Sequence, residues 1–361
     1  MRRFIKKIIG FIAFLIGLAL VFGFTAVAAF SHFNSAPEFA PEAASRMDGL
    51  AIETVDGTGN TVRFDVRRGE SARSVGRRLA DAGLIRNEFA WNLYCRYNNE
   101  PVKAGSYLIE IPSTLIAIHA LLAEGRQELV RVTIPEGFTL KKMARLLENA
   151  GICPADDFLA ATATPEIISR YRIPGTSMEG YLYPDTYLFP AGYPAERVVA
   201  AMADTFFSRL GAFSERAAAM PPNELYRLVT LASIVEREYR VPDEAPVMAG
   251  VFLNRLGINM RLESCATVEY IITEIQGKPH PDRIFYADLE IRNPFNTYMY
   301  PGLPPGPISA PGAVALRAAL YPENTNYLYF RLINQRDGRH YFSRTHDEHI
   351  SAGALYVKGS P

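Results

Sequence analysis

The sequence predicts an α+β protein: an N-terminal transmembrane helix, small repeated strand–turn–helix modules, then a mixed α+β domain with long Pro/Gly/Tyr-rich loops. Three observations carry that prediction. An uncharged apolar run over residues 8–30 follows a basic flank. A strand–turn–helix pattern recurs at a constant offset of 68 positions. From residue 165 onward, long amphipathic patterns alternate with Pro- and Gly-dense stretches. A chain of 361 residues holds two or three compact units, and 48% hydrophobic with 21% charged residues is the composition of a folded protein. The formal net charge is zero, so the chain lacks the electrostatic footprint of a nucleic-acid binder.

The pattern divides into residues 1–34, a basic flank and anchor; 35–60, a linker; 61–165, the repeated modules; and 166–361, the mixed α+β domain. In the first part Arg2, Arg3, Lys6 and Lys7 precede the apolar run, which reaches the ~20 residues that a bilayer core requires. The basic flank stays in the cytoplasm, placing everything after Phe30 beyond the inner (cytoplasmic) membrane as a single-pass protein. Ala26, Val27 and Ala28 also form an A-x-A cleavage site. The run exceeds the roughly 7–15 residues of a signal-peptide core, which favours a retained anchor. Residues 35–45 are rich in Ala, Pro and Glu and read as an extended linker, with ordered structure starting near Thr61.

The repeat begins with FDVRRG (64–69), VGRRL (75–79) and GLI (83–85), echoed by VTIPEG (132–137), MARLL (143–147) and GIC (151–153). Each copy is a short alternating strand, a glycine turn, and a helix stopped by Gly83 or Gly151. A strand over 103–107 and an amphipathic helix over 115–122 lie between the copies. These units resemble LysM-like βαβ modules, which lie along aminosugar polymers; a generic α+β module answers to the same pattern. Further on, 195–210 and 223–239 read as amphipathic helices, the second bounded by Pro221, Pro222 and Pro242.

The chemistry-bearing residues narrow the function. Cys95, Cys153 and Cys265 are far apart, which excludes a zinc ribbon or a disulfide framework and predicts free, buried thiols. There is no glycine-rich phosphate loop, no HExxH and no GxSxG. His340, His346 and His349 match no standard ligand spacing, so neither a metal nor another cofactor is expected.

The acids are more informative. LVTLASIVERE (228–238) is apolar up to Glu236, which shares a helix face with Ala232 and Ser233, while Glu238 is turned by about 200° from it. Burial at the end of an apolar face raises a carboxyl pKa, as a general acid requires. The bland alternative is that Glu236 ends the stripe and pairs with Arg237 or Arg240. EGYLYPDTY (179–187) interleaves acids with aromatics, which suits a sugar-stacking groove or, equally, a packed loop in which Asp185 is a cap. NPFNTY (293–298) and GLPPGPI (302–308) preclude regular helix or sheet and suit either the polar wall of a carbohydrate site or a covering loop.

Together these segments resemble the MltG (YceG-like) endolytic murein transglycosylase family. The resemblance rests on EGYLYPDTY, LASIVERE (231–238), VFLNRL (251–256), MRL (260–262), NTY (296–298), GLPPGPI and Pro311-Gly312, and it continues through YLYF (327–330), HYFS (340–343), Glu348 and His349. It spans nearly the whole chain in order. The resemblance implies that Glu236 is the catalytic acid. Its carboxyl would protonate the oxygen between MurNAc and GlcNAc, and the resulting carboxylate would take the proton of the MurNAc C6 hydroxyl as that oxygen closes a 1,6-anhydro ring. Glu179, Tyr183, Asp185, Glu263, Thr267, Asn296 and Tyr298 are then expected to bind or position the glycan. The resemblance further implies endolytic cutting that terminates nascent strands, and penicillin-binding proteins or other glycan polymerases as partners.

One stretch departs from the family pattern. LESCATV (262–268) stands where LQ[ST]DPTV is usual, so an amide has become Glu263 and an aspartate Cys265. A Glu263 close to Glu236 would raise its pKa further. Two other functions remain open on sequence: a catalytically silent peptidoglycan-binding scaffold, and a two-carboxylate muramidase pairing Glu236 with Glu179 or Asp185.

Overall fold

The computed structural model describes residues 2–37, 50–53, 61–67, 69–125 and 129–356. The chain divides into two compact units, Met1–Leu129 and Val130–Pro361. The second copy of the repeat therefore belongs to the later unit, whereas the sequence pattern grouped both copies within 61–165.

The first unit opens with helix α1 (Arg2–Asn34). Its Phe14–Asn34 stretch is long and apolar enough to cross a membrane, and its apolar side chains from Phe14 to Phe30 lie exposed. Most of the expected 35–60 linker lies outside the described residues. Within it, however, strand β1 (Leu50–Glu53) pairs antiparallel with β2 (Thr61–Val66), so ordered structure begins earlier than expected. Strand β2 alternates in burial, turning Val62, Phe64 and Val66 inward, and pairs antiparallel with β3 (Gly105–Glu110). Two helices join those strands, α2 (Ala72–Asp81) and α3 (Glu88–Asn98), N-capped by the Ser71 and Asn87 side chains. Helix α4 (Leu115–Glu124) adds Ile118 and Leu122 to a core that includes Phe64, Leu79, Trp91 and Tyr107. The first copy of the repeat is thus a strand–helix–helix–strand unit.

The second copy is built differently. Strand β4 (Leu129–Thr133) pairs with β5 (Thr186–Pro190), a strand from beyond the following helices. After β4 come α5 (Leu140–Asn149), α6 (Ala155–Ala161) and α7 (Pro165–Arg170). The apolar face of α5, with Met143, Ala144 and Leu147, enters the same core as the long helices further on. Those are α8 (Ala195–Phe213), the short α9 (Glu215–Ala218), α10 (Pro222–Glu238) and α11 (Ala245–Gly257). Both predicted helices are present, each within a few residues of its expected bounds.

Helix α10 is central: every residue from Val229 to Val235 is buried. It packs against α11 and against α13 (Ala313–Leu320). Between them lie α12 (Cys265–Tyr270), a single π turn and a 3-10 turn, and then the Pro/Gly-rich stretch. The unit closes with the hairpin of β6 (Tyr329–Leu332) and β7 (His340–Ser343), followed by α14 (His346–Ser351).

Candidate active site

Glu236 stands one turn beyond Ser233 on α10, and that shared face determines its surroundings. The Ser233 hydroxyl accepts the Ile308 N–H at 3.0 Å, and the Ser309 hydroxyl donates to the Ser233 carbonyl at 3.1 Å. The 302–312 segment is thereby held along this face of the helix. Where it passes Glu236, the Gly312 N–H donates to Oε2 at 2.9 Å. The Tyr239 hydroxyl, from the end of the same helix, lies 3.5 Å from Oε1. On its other side the segment is bracketed by the turn after β4. The Gly137 N–H donates to the Ala310 carbonyl at 2.9 Å, and the Ala310 N–H returns to the Phe138 carbonyl at 2.8 Å.

That turn brings a second acid. Gly137 has a φ of +72°, which favours glycine, and a Cβ there would meet Arg237 Cδ at 3.3 Å and Glu236 Cγ at 3.8 Å. The preceding residue, Glu136, lays its carboxyl on Gly312, where a Cβ would stand 1.8 Å from Glu136 Oε1. A Cβ lies about 2.5 Å from its own N, so Glu136 Oε1 and Glu236 Oε2 are at most about 7 Å apart.

These neighbours set the acidity of Glu236. Burial pushes its carboxyl up to about 7. The Gly312 N–H and the Tyr239 hydroxyl oppose the rise by bonding the carboxylate, Glu136 adds to it by like charge, and Arg237 offsets part of it. A group with that value is about half protonated near neutral pH, so it is able both to give and to take a proton. The Tyr239 hydroxyl is also raised, by burial first and then by Glu236 and Glu136.

Arg237 does not bond to Glu236. Its guanidinium is paired with Glu269 of α12 at 2.6 Å, and the exposed His280 reaches the same carboxylate at 2.9 Å. Glu238 points elsewhere again, accepting from the Ser264 hydroxyl and the Ala266 N–H, and burial raises its pKa. Successive side chains about 100° apart thus send Glu236 to the 302–312 segment, and Arg237 and Glu238 to different points of α12 and its N-cap.

The remaining expected residues fall into separate places. Glu179 is buried (8% exposed) and accepts the Leu140 N–H at 3.3 Å with both oxygens, at the first turn of α5. Burial pushes it up to about 8, the Leu140 bond pulling down and Glu274 pushing up. Tyr183 is buried with its hydroxyl in the field of Glu136, the Arg209 guanidinium standing 5.8 Å from its ring. Asp185 faces outward, paired with Arg209 at 3.0 Å.

Thr267 and Asn296 are wholly buried and act within the scaffold. The Thr267 and Thr297 hydroxyls are 3.0 Å apart, and Thr297 also accepts the Ser264 N–H through its hydroxyl and the Glu263 N–H through its carbonyl. The Asn296 amide donates to the Leu289 and Ile291 carbonyls and accepts the Tyr298 N–H. These bonds join the 262–268 and 293–298 stretches, which Glu238 ties to α10.

Two expectations about the departing stretch are corrected. Glu263 is turned to the buried Arg255, 3.4 Å away, and the like charge acting on Glu236 is Glu136. Cys265 is exposed rather than buried, its sulfur 3.1 Å from the Tyr298 hydroxyl, because it begins α12 instead of lying on its inner face. Cys153 is buried and Cys95 partly so. Of the three histidines, His340 pairs with Glu244 at 2.8 Å, while His346 and His349 pack on Tyr329. Among the described residues no group of three or more His, Cys, Asp or Glu is arranged to hold a metal ion.

Sequence reasoning missed Glu136, Tyr239 and the Arg237–Glu269 pair. A signal for Glu136 existed: in the repeat it occupies the position of Arg68, a charge reversal in an otherwise copied turn.

Comparison with known proteins bears on this site. The sequence pattern of the YceG-like family matches residues 64–354. An endolytic murein transglycosylase of Bacillus subtilis (strain 168) is 30% identical over 316 residues, covering 82% of this chain and 85% of that protein. An endolytic murein transglycosylase of Streptococcus pneumoniae serotype 2 (strain D39) is 27% identical over 330 residues, of whose length the chain spans 58%. A crystal structure of a YceG-like protein from Listeria monocytogenes superposes with a TM-score of 0.55 at 32% identity, covering 81% of this chain and 98% of that one.

Proposed function

The chain belongs to the YceG-like family, and on that premise we propose that it is a peptidoglycan lytic transglycosylase with Glu236 as its acid–base group. The observation that carries the proposal is the state of that carboxyl. It is half-buried, held by the Gly312 N–H, and raised to about 7. It sits on the helix that carries the family's LASIVERE stretch, and the murein transglycosylase names of the relatives agree with the chemistry such a group supports.

In the proposed reaction Glu236, protonated, gives its proton to the oxygen between MurNAc and GlcNAc as that bond breaks and positive charge develops at C1. The carboxylate left behind is stabilised by the Gly312 N–H, at the N-terminus of α13. It then takes the proton of the MurNAc C6 hydroxyl, whose oxygen bonds to C1. The proton count balances without water, and the new end is 1,6-anhydroMurNAc. Tyr183, whose hydroxyl lies in the field of Glu136, and the half-buried Tyr298 would meet or position sugar. Glu179, Thr267 and Asn296 would serve by holding the walls, and Asp185 and Glu263 by pairing with Arg209 and Arg255.

The apolar helix α1 supports a single-pass anchor in the inner membrane, with the catalytic unit on the outer side. The first unit would hold glycan as a LysM-like module. Endolytic cutting would end nascent strands near the membrane, beside penicillin-binding proteins or other glycan polymerases.

Mass spectrometry of the fragments released from peptidoglycan by the full-length protein in detergent tests the reaction. Anhydro ends that disappear in Glu236→Gln are expected. Products heavier by one water would establish the second reading, a two-carboxylate hydrolase, which the approach of Glu136 to Glu236 favours over the pairings with Glu179 or Asp185. Glycan binding without new ends would establish a silent scaffold.

A further inference from the structure

We propose that Glu136 is a positioning residue that acts through Glu236, its carboxyl seated on Gly312 so that a negative charge faces the acid–base group. The inference rests on the assignment of Glu236 as the acid and concerns a residue outside the motifs that led to that assignment.

The seat is built by backbone. The Ile134 N–H is bonded to the Asp185 carbonyl at 2.9 Å, and Gly137 and Phe138 bracket Ala310, so the chain is fixed on both sides of Glu136. From there the carboxyl covers the Cα of Gly312, with Oε1, Cδ and Cγ 1.8, 2.2 and 2.8 Å from where a Cβ would stand. The φ of Gly312 is −83°, which any residue adopts. Glycine at this position is therefore explained by the carboxyl lying against it and by no demand of the backbone. Glu136 itself is exposed and the seat costs nothing in burial, so its placement beside a half-buried acid calls for another explanation.

The charges around Glu236 supply one. The turn after β4 presents Glu136. The end of α10 presents Arg237, engaged with Glu269, and the Tyr239 hydroxyl. The segment before α13 presents only the Gly312 N–H. Helix N-terminus and arginine favour the carboxylate, and Glu136 is the neighbour that disfavours it. Tyr183 and Tyr239 feel the same charge, so its field covers the site rather than one atom. Without Glu136 the acid would release its proton at lower pH. With it, Glu236 holds the proton near neutrality and, once ionised, recovers it more readily.

The test measures the titration of Glu236 in the full-length protein, by carboxyl infrared or carbon NMR signals absent from Glu236→Gln, together with the pH profile of kcat/KM. In Glu136→Gln both midpoints should move to lower pH by about 0.4 to about 1.7 units or more, the Coulomb range at the upper-bound separation of about 7 Å between water-like and interface-like dielectric. Glu136→Asp, which keeps a charge, should shift less. Gly312→Ala, whose methyl group takes the carboxyl's seat while leaving the N–H in place, should shift the same way, and the double variant with Glu136→Gln should add nothing. If Glu136→Gln does not fold, Gly312→Ala carries the test. An unmoved midpoint overturns the proposal, including where the melting temperature falls. If the parent cuts no glycan at any pH, the transglycosylase reading fails, and the spectroscopic titration still decides the coupling.

Discussion

Raising the pH through 7 should switch off cleavage by removing the proton that Glu236 donates. With its carboxyl at about 7, about 24% of the free enzyme carries that proton at pH 7.5, against about 0.1% for a carboxyl at its ordinary 4.5. Burial and Glu136 together thus enlarge the acid-competent population by about 240-fold at that pH. The assay is the initial rate of fragment release from isolated glycan strands at low substrate concentration, from pH 5 to pH 9, at constant ionic strength. On this reasoning kcat/KM is level on the acid side of the limb and falls about tenfold per unit above it, to about one hundredth of the plateau at pH 9. Glu236→Gln should lose at least about a hundredfold at pH 6 and retain no limb, since an amide neither donates as an acid nor titrates. A limb centred near 4.5, or a parent rate undiminished at pH 9, would refute the claim that burial sets the acidity of this group. A Gln variant as active as the parent would refute its role.

Two further outcomes concern the frame around the site. The folded state raises the Glu179 carboxyl to about 8, so its stabilising contribution is complete below pH 4.5 and is lost between there and 8. Glu179→Gln should therefore melt like the parent at pH 4 and gain on it steadily to pH 8, by an amount on the order of a few kcal/mol; parallel melting curves would contradict this. Arg255 is buried and donates to the Arg261, Leu262 and Leu328 carbonyls. Arg255→Met leaves those acceptors unpaired and should cost roughly 3–5 kcal/mol in denaturant unfolding, and a loss below about 1 kcal/mol would show that water replaces the guanidinium.

What the sequence determined by itself was whatever depends on near neighbours along the chain. The 3.6-residue period placed helices over 195–210 and 223–239 and put Glu236 on the face of Ser233, with Glu238 turned away, and the structure has both. The uninterrupted apolar run before residue 31 marked α1 for the same reason. Ordered motifs identified the family, because a linear series of residue types needs no folding to be recognised. Partnership across the chain was not legible. Glu136 meets Glu236 only because β4 pairs with β5 and the turn beyond it clasps Ala310, and no periodicity encodes that pairing. Asn296 and Thr267 were expected to bind or position the glycan, since polarity is visible in a sequence and burial is not; in the fold they satisfy backbone and hydroxyl partners inside the scaffold. The second repeat copy kept its local pattern but lies in the other unit, because the apolar face of α5 joins the core to which α8 and α10 contribute. Local sequence thus set which elements form and where Glu236 points. Tertiary structure alone decided which charges it faces, and so the pH at which it holds its proton, because Coulomb energy depends on distance through space and not on separation along the chain.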